Sequence, residues 1–368
     1  MTPLEHIIRE KIARDGGMTV AEYMTLCLAH PEHGYYQRPR TLGAEGDFIT
    51  APEASQIFGE LIGAWIAAGW QAAGRPDPFL LVEAGPGRGL LMQDLLRAAG
   101  HMPGFLDAVR IHLIETSAAL KQEQKRRLEP LGLAIAWHER IDDVPEGPFF
   151  FVGNEFLDAL PVHHFVKKDG RFVERLVSLD EGGNLCFRDA GAPLADDAVP
   201  AWAKDLPEGS IIELSPEREA FAAMVAERVA VHGGAALFID YGHARPGAGE
   251  TLQAVQRHRP VSVFHEPGRC DLTAHVDFSA VASAMAAQGA DVYGPMEQGP
   301  FLRALGLELR LQALLKRADA RRRMILKRGA KRIADNDQMG RLFKVLAAVP
   351  GGANPPAPFT RGQRWQHS

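Results

Sequence analysis

The stretch Leu80-Leu81-Val82-Glu83-Ala84-Gly85-Pro86-Gly87-Arg88-Gly89-Leu90-Leu91 decides how the chain is read. An apolar run closes on an acidic residue, three glycines follow at alternate positions, and a helical pattern opens with Met92, Leu95 and Leu96. Strand, tight turn and helix make the first βα unit of a nucleotide-type α/β fold. Gly85 and Gly87 allow a sharp turn and let a ligand approach with no Cβ in the way. Three details set this turn apart from a dinucleotide fingerprint. That fingerprint needs glycine where Leu90 stands, Pro86 has no N–H to offer a phosphate, and Glu83 repels a pyrophosphate. All three suit a ligand with cationic groups and no phosphate, such as S-adenosylmethionine with its ammonium, sulfonium, carboxylate and adenosine. The plainer alternative is a glycine turn that only packs a helix on a sheet.

The 368 residues carry a formal charge of −5, enough chain for one large domain with insertions or for two domains. A mildly acidic balance makes neither a nucleic-acid backbone nor an anionic membrane surface an obvious partner. Basic clusters do occur at Lys316-Arg317, Arg321-Arg322-Arg323, Lys327-Arg328 and Lys331-Arg332, beside Leu314, Leu315, Ile325 and Leu326. Their helical spacing reads as the solvated face of an amphipathic helix. Cys27, Cys186 and Cys270 are scattered and in no metal spacing, which fits single thiols in a reducing compartment. The most apolar run, Ile57 to Trp70, is interrupted by Glu60 and too short to span a bilayer. Glu5, Glu10 and Asp15 among the first basic residues argue against a presequence. The expectation is a cytoplasmic protein without membrane insertion.

Residues 1 to about 28 read as two helices, with Thr19 and Glu22 as a capping box for the second. An ordered Gly- and Pro-rich loop, Gly43 to Pro52, and a long apolar helix, Ser55 to Trp70, complete an N-terminal helical cap over residues 1–75. The core, residues 76–368, alternates strand and helix. Strands are expected at Phe79–Glu83, Val109–Glu115, Leu133–Trp137, Phe149–Gly153, Gly234–Asp240, Ala290–Tyr293 and Phe343–Val349. Two insertions interrupt it. One, at about 162–214, holds a hairpin around Asp169-Gly170 and a polar stretch with Pro193, Pro200 and Pro207; the other, 242–275, lacks clean periodicity and reads as a long loop.

Candidate site residues follow from the fold. Glu115 closes the second strand, the place where acidic residues chelate ribose hydroxyls in nucleoside-binding α/β folds. Gly153-Asn154-Glu155-Phe156-Leu157-Asp158-Ala159-Leu160-Pro161 follows the fourth strand, in the crevice where such sheets bind ligands. An amide at Asn154 and carboxylates at Glu155 and Asp158 suit a cationic acceptor with several donors, such as a guanidinium. The same residues also suit a helix start, with Asn154 as cap. Asp240-Tyr241-Gly242-His243 follows the fifth strand, and Tyr241 is placed either as a wall of the acceptor site or as a rim aromatic. The pairs His30/His33 and His163/His164 are not read as metal ligands, since the first sits in a turn and the second points to opposite faces of a strand. None of the 14 histidines has a catalytic context.

Taken together, the chain resembles the MidA-like family of S-adenosylmethionine-dependent methyltransferases, whose mitochondrial members are arginine methyltransferases needed for assembly of respiratory complex I. The resemblance runs through His30-Pro31-Glu32-His33-Gly34-Tyr35-Tyr36, Gly46-Asp47-Phe48-Ile49-Thr50-Ala51-Pro52-Glu53, the glycine turn, Asn154 to Pro161, Asp240-Tyr241-Gly242, Thr251-Leu252-Gln253-Ala254 and Asp271 to Phe278. It implies an α/β, Rossmann-like class I methyltransferase core, a seven-stranded mostly parallel sheet, with a helical cap and inserted substrate elements. It also implies cofactor binding by Gly85, Gly87 and Glu115, with the Asp47–Glu53 loop bordering the cofactor or the acceptor; Glu83 and Gly89 of the glycine-turn stretch, and Asp47, are further cofactor candidates. Ala84 stands where relatives often have leucine. Protein arginine is the expected acceptor, on a substrate of the respiratory-complex type, with Asn154, Glu155, Asp158 and Tyr241 as the catalytic group. No nucleic-acid partner is expected, and no motif sets an oligomeric state. The rival readings are an assembly factor of chaperone type on a methyltransferase scaffold and a small-molecule methyltransferase.

Overall fold

The computed structural model describes residues 1–37 and 49–366. Contacts divide the chain into two units: residues 1–48, 158–218 and 245–275 in one, and 49–157, 219–244 and 276–368 in the other. The sequence reading placed a cap at 1–75 and a core at 76–368. In the structure the N-terminal helices group with both insertions, while the helix after residue 55 groups with the core.

The larger unit carries the expected sheet. Its strands are β1 (Phe79–Ala84), β2 (Val109–Ile114), β3 (Ile135–His138), β4 (Phe149–Asn154), β5 (Gly234–His243), β6 (Ala290–Glu297) and β7 (Phe343–Pro350). They run in the order β6-β7-β5-β4-β1-β2-β3, and the two-residue strand Val276–Asp277 is added beside β5. β1 to β5 are mutually parallel where they pair, and β7 is antiparallel to both neighbours. Both β1 and β4 are buried along their whole length, as befits central strands covered on both faces.

Helices α1 (Gln56–Ala72), α2 (Leu90–Ala99) and α3 (Ala118–Leu128) belong to this unit. α1 and α2 approach closely through glycine: a Cβ on Gly63 would lie 2.3 Å from the Leu95 carbonyl oxygen. Ile57, Phe58, Trp65 and Trp70 of α1 join Phe79, Leu81, Leu95, Phe105 and Phe150 in one apolar core. Glu60, the acid that interrupts this helix in the sequence, is buried and paired with Arg97 at 2.8 Å and Arg310 at 2.7 Å. Pairing offsets the cost of burying its charge. Further along lie α4 (Phe278–Ala286), α5 (Leu307–Leu315) and α6 (Ala320–Ala334).

The smaller unit contains helices Pro3–Asp15 and Val20–Ala29, the second with the expected Thr19–Glu22 capping box. Its five-stranded antiparallel sheet uses Met18–Thr19, His163–Lys168, Arg171–Leu179, Leu185–Pro193 and Ile211–Leu214. The hairpin turns at Asp169-Gly170, both with positive φ (51° and 76°), as a two-residue turn requires. Leu185–Pro193, read from sequence as polar connection, is a strand. Among the described residues it pairs with Arg171–Leu179 alone, with a register shift between Val173 and Arg175. The stretch 242–275, read as a loop, contains three short antiparallel strands: Gln253–Gln256, Arg259–Val261 and Asp271–Thr273.

Candidate active site

The chain runs from β1 outward to β2 and β3, then returns to the opposite side of β1 as β4. The carboxyl ends of β1 and β4 are therefore the switch point of the sheet, where open α/β folds bind ligands. Ala84, Ile114 and Gly153 stand level across the three strands, so Gly85, Glu115 and Asn154 emerge side by side at one edge.

The glycine turn is held from several directions. Gly85, Gly87 and Gly89 all have positive φ (62°, 50° and 75°), a region open to glycine and costly for most side chains. The Gly85 N–H donates to the Ile114 carbonyl at 3.0 Å and the Gly89 N–H to that of Pro86 at 2.7 Å. A Cβ at Gly85 would lie 2.9 Å from Cδ2 of Phe156. Helix α3 staples the turn from one face: Gln124 Nε2 donates to the Gly87 carbonyl at 2.8 Å, Arg127 Nε to that of Arg88 at 2.7 Å, and Arg88 pairs with Glu123 at 2.6 Å.

Glu115 is buried just past β2. Its Oε1 accepts from the Ser117 N–H at 2.8 Å and its Oε2 from Gln124 Nε2 at 3.1 Å. Burial raises its pKa, against the hydrogen bonds from Ser117 and Gln124. Glu83 is buried within β1, and burial alone pushes its carboxyl up to about 8. Its Oε2 has no hydrogen-bond partner among the described residues, and neither does the buried Asn154 Oδ1. These acceptors, beside a turn with no side chain in the way, fit a ligand that brings an ammonium, an amine and ribose hydroxyls.

Glu155 is one of the few non-glycine residues at positive φ (50°), a conformation that costs about 1–3 kcal/mol and persists only where the surroundings impose it. Its N–H donates to the Ile239 carbonyl at 2.9 Å. Its Oε1 accepts from the Ala51 N–H at 2.9 Å and from Asn154 Nδ2 at 3.1 Å. No α-helix follows, only a 3-10 turn at Leu157–Ala159, so Asn154 is not a helix cap. The Ala51 end of the Asp47–Glu53 motif thus reaches Glu155; Asp47 itself lies outside the described residues.

Of the other two expected members, Tyr241 is placed differently. Tyr241 is not beyond β5 but within it, opposite Phe343, with its buried ring 5.5 Å from that of Phe343. A Cβ on the next residue, Gly242, would lie 2.1 Å from the Val276 carbonyl oxygen; the glycine permits close strand pairing. Asp158 opens the next segment of the smaller unit, where its carbonyl accepts from Ala274 N–H and Arg218. Asp240, weighed only as part of a motif, is buried and accepts from the Phe156 N–H at 3.2 Å.

Gln124 was missed altogether. It is fully buried, and its Oε1 accepts from the Trp137 indole N–H at 2.8 Å. Indole can only donate, so Trp137 fixes the amide with Nε2 toward Gly87 and Glu115. The spacing of Glu123, Gln124 and Arg127 on one helical face was the available signal. Gln124→Leu strands these buried partners at about 1–3 kcal/mol each. It is expected to weaken cofactor binding by about tenfold or more while the rate at saturating cofactor holds. Calorimetry and a split of KM from kcat check this.

These features are those of an α/β methyltransferase, a class of fold in which ligands bind at the switch point of the sheet. Residues 61–296 match the family described as "Putative S-adenosyl-L-methionine-dependent methyltransferase", and the chain belongs to that family. It is 37% identical over 370 residues to the Drosophila melanogaster "Protein arginine methyltransferase NDUFAF7 homolog, mitochondrial", covering 94% of this chain and 84% of that one. The Rattus norvegicus "Protein arginine methyltransferase NDUFAF7, mitochondrial" is 36% identical, with 95% and 85% covered. Among solved structures, a Burkholderia thailandensis protein bound to S-adenosyl-homocysteine superposes with a TM-score of 0.82 at 30% identity, covering 97% of this chain and 95% of that one. The fold class, the methyltransferase activity and the cofactor, S-adenosylmethionine, all stand as expected from sequence.

Glu83 gives a pH dependence. In the folded protein its carboxyl holds a proton up to about pH 8, whereas the ordinary value is 4.5. Between these values the native state binds more protons than the unfolded chain, so stability falls as pH rises through that window and levels off above it. Glu83→Gln is expected to flatten the fall, with a remainder from Glu115, in urea unfolding at pH 5.5 and 8.5 without ligand.

Proposed function

We propose that the chain transfers the methyl group of S-adenosylmethionine to an arginine guanidinium of a protein substrate. The observation that carries this is Glu155, held at positive φ beside Asn154 at the switch point. Strain of that kind is kept where it positions a functional group, and a carboxylate beside an amide is a matched acceptor set for a planar guanidinium. The names of the relatives, protein arginine methyltransferases, support the same acceptor.

The cofactor supplies an electrophilic methyl group on a sulfonium. In this reading the glycine turn, Glu83 and Glu115 hold it. Asn154 and Glu155 orient the guanidinium and offset its charge, and positioning of that kind contributes about 7–11 kcal/mol in favourable cases. A respiratory-complex subunit as substrate is part of the proposal and rests on the family resemblance. So is a cytoplasmic site of action, which rests on three free cysteines, two of them buried.

The test is transfer of labelled methyl from S-adenosylmethionine into cell lysate, with mass spectrometry of the labelled product. Label on protein arginine supports the proposal; label on lysine, on a nucleic-acid base or on a metabolite rejects it. Cofactor binding without any labelled product would point to a scaffold instead.

A further inference from the structure

The basic run near the C-terminus takes no part in the chemistry described. From Lys316 to Arg332 there are nine basic residues and one acid, in a chain whose net charge is −5. The one acid, Asp319, is used as the N-cap of α6, accepting from the Arg322 N–H at 2.7 Å. The inner face of α6 buries Leu326, Gly329, Ala330, Ile333 and Ala334. The outer face exposes Arg321, Arg328 and Lys331, which make no ion pair with a carboxylate among the described residues.

This is the solvated amphipathic face expected from sequence, with one addition. Met324 and Ile325, 66% and 55% exposed, stand in the middle of the cations. Leu309 of α5 and Leu342, on short helices that pack against α6, are exposed as well. Among the described residues, four of the six exposed large hydrophobic side chains therefore fall between 309 and 342. Cations that surround protruding apolar side chains on one helix face are the pattern of adsorption to an anionic interface.

We propose that this face binds the surface of an anionic phospholipid bilayer. The cations meet the headgroup phosphates, and Met324 and Ile325 enter the headgroup layer. A lipid surface accepts isolated apolar side chains without a matching pocket, whereas an acidic protein would need one for each. Among the described residues no helix is long and apolar enough to cross a membrane, so the association is peripheral. The buried side of α6 abuts the segment that leads to the site: a Cβ on Gly329 would lie 2.4 Å from the Ala54 carbonyl, and the Ala51 N–H is bonded to Glu155. Adsorption thus holds the acceptor end of the cleft close to the bilayer.

The test is co-flotation of the full chain with vesicles of phosphatidylcholine alone or with about one third phosphatidylglycerol. Binding is expected only to the anionic vesicles and is lost at high salt. Replacing Arg321, Arg328 and Lys331 together by Glu is expected to lower binding on the order of a hundredfold, with cofactor affinity and thermal unfolding unchanged. Arg321→Lys with Arg328→Lys, Lys331 being left as it is, retains it. Equal binding to neutral vesicles, no binding to anionic ones, an unaffected glutamate variant or a lysine variant that fails to bind would each overturn the proposal. So would capture of polyglutamate or DNA in place of vesicles, which would assign the face to another polyanion.

Discussion

Gly87→Val is expected to fold and to bind no cofactor. Gly87 sits at φ 50° between two other glycines of positive φ, and a β-branched side chain there is both strained and placed in the ligand's path. The rest of the turn is held by bonds that do not involve the Gly87 side: Gly85 to Ile114, Gly89 to Pro86, and Arg127 to Arg88. The wild type at a hundredfold excess of ligand over Kd gains about 2.7 kcal/mol of stability. The variant should gain none, read as the absence of a thermal shift with S-adenosyl-homocysteine. A folded Gly87→Val protein that shows the wild-type shift would mean that the ligand lies elsewhere.

The second large effect is on turnover. Glu155→Gln keeps the shape of the side chain and one carbonyl-type acceptor toward Ala51, but removes the charge. If the carboxylate holds a guanidinium, the loss is that of a charge-assisted hydrogen bond, about 1.5–3 kcal/mol. At tenfold per 1.4 kcal/mol, this corresponds to a rate lower by roughly 10- to 150-fold with cofactor affinity unchanged. A role confined to anchoring the Ala51 segment predicts the reverse: full turnover in Glu155→Gln, and a loss only in Glu155→Ala. Single-turnover rates of both variants distinguish the two.

The strand, the glycine turn and the place of Glu115 were legible because their signals are local. An apolar strand, alternate glycines and an acid at the end of the next strand are each fixed by neighbours in sequence. The acceptor half depends on pairing across the sheet, which periodicity does not report. Tyr241 looked like the start of a loop, yet β5 continues to His243 because Tyr241 pairs with Phe343 and Gly242 with Val276. The one signal for Gln124 was its place beside Glu123 and Arg127, and a glutamine on a charged helix is ordinarily solvated; only the folded placement of Trp137 and Glu115 makes it a hub. The strands between 253 and 273 are three or four residues long, too short for alternation to show. The grouping of the N-terminal helices was hidden for the same reason as most long-range contacts: Thr2 Oγ1 donates to the Pro267 carbonyl and Tyr23 to that of Val263.

The central claim is that the nucleoside lies at the glycine turn with its ribose on Glu115. The most direct test is calorimetry of S-adenosyl-homocysteine and its 2′- and 3′-deoxy analogues against the wild type and Glu115→Ala. The parent ligand should lose about 1.5–3 kcal/mol per hydroxyl bond in the variant, while each singly deoxy analogue should lose one such increment with the wild type. If removing the hydroxyls costs as much in Glu115→Ala as in the wild type, the ribose does not sit on Glu115 and the account of the site is wrong.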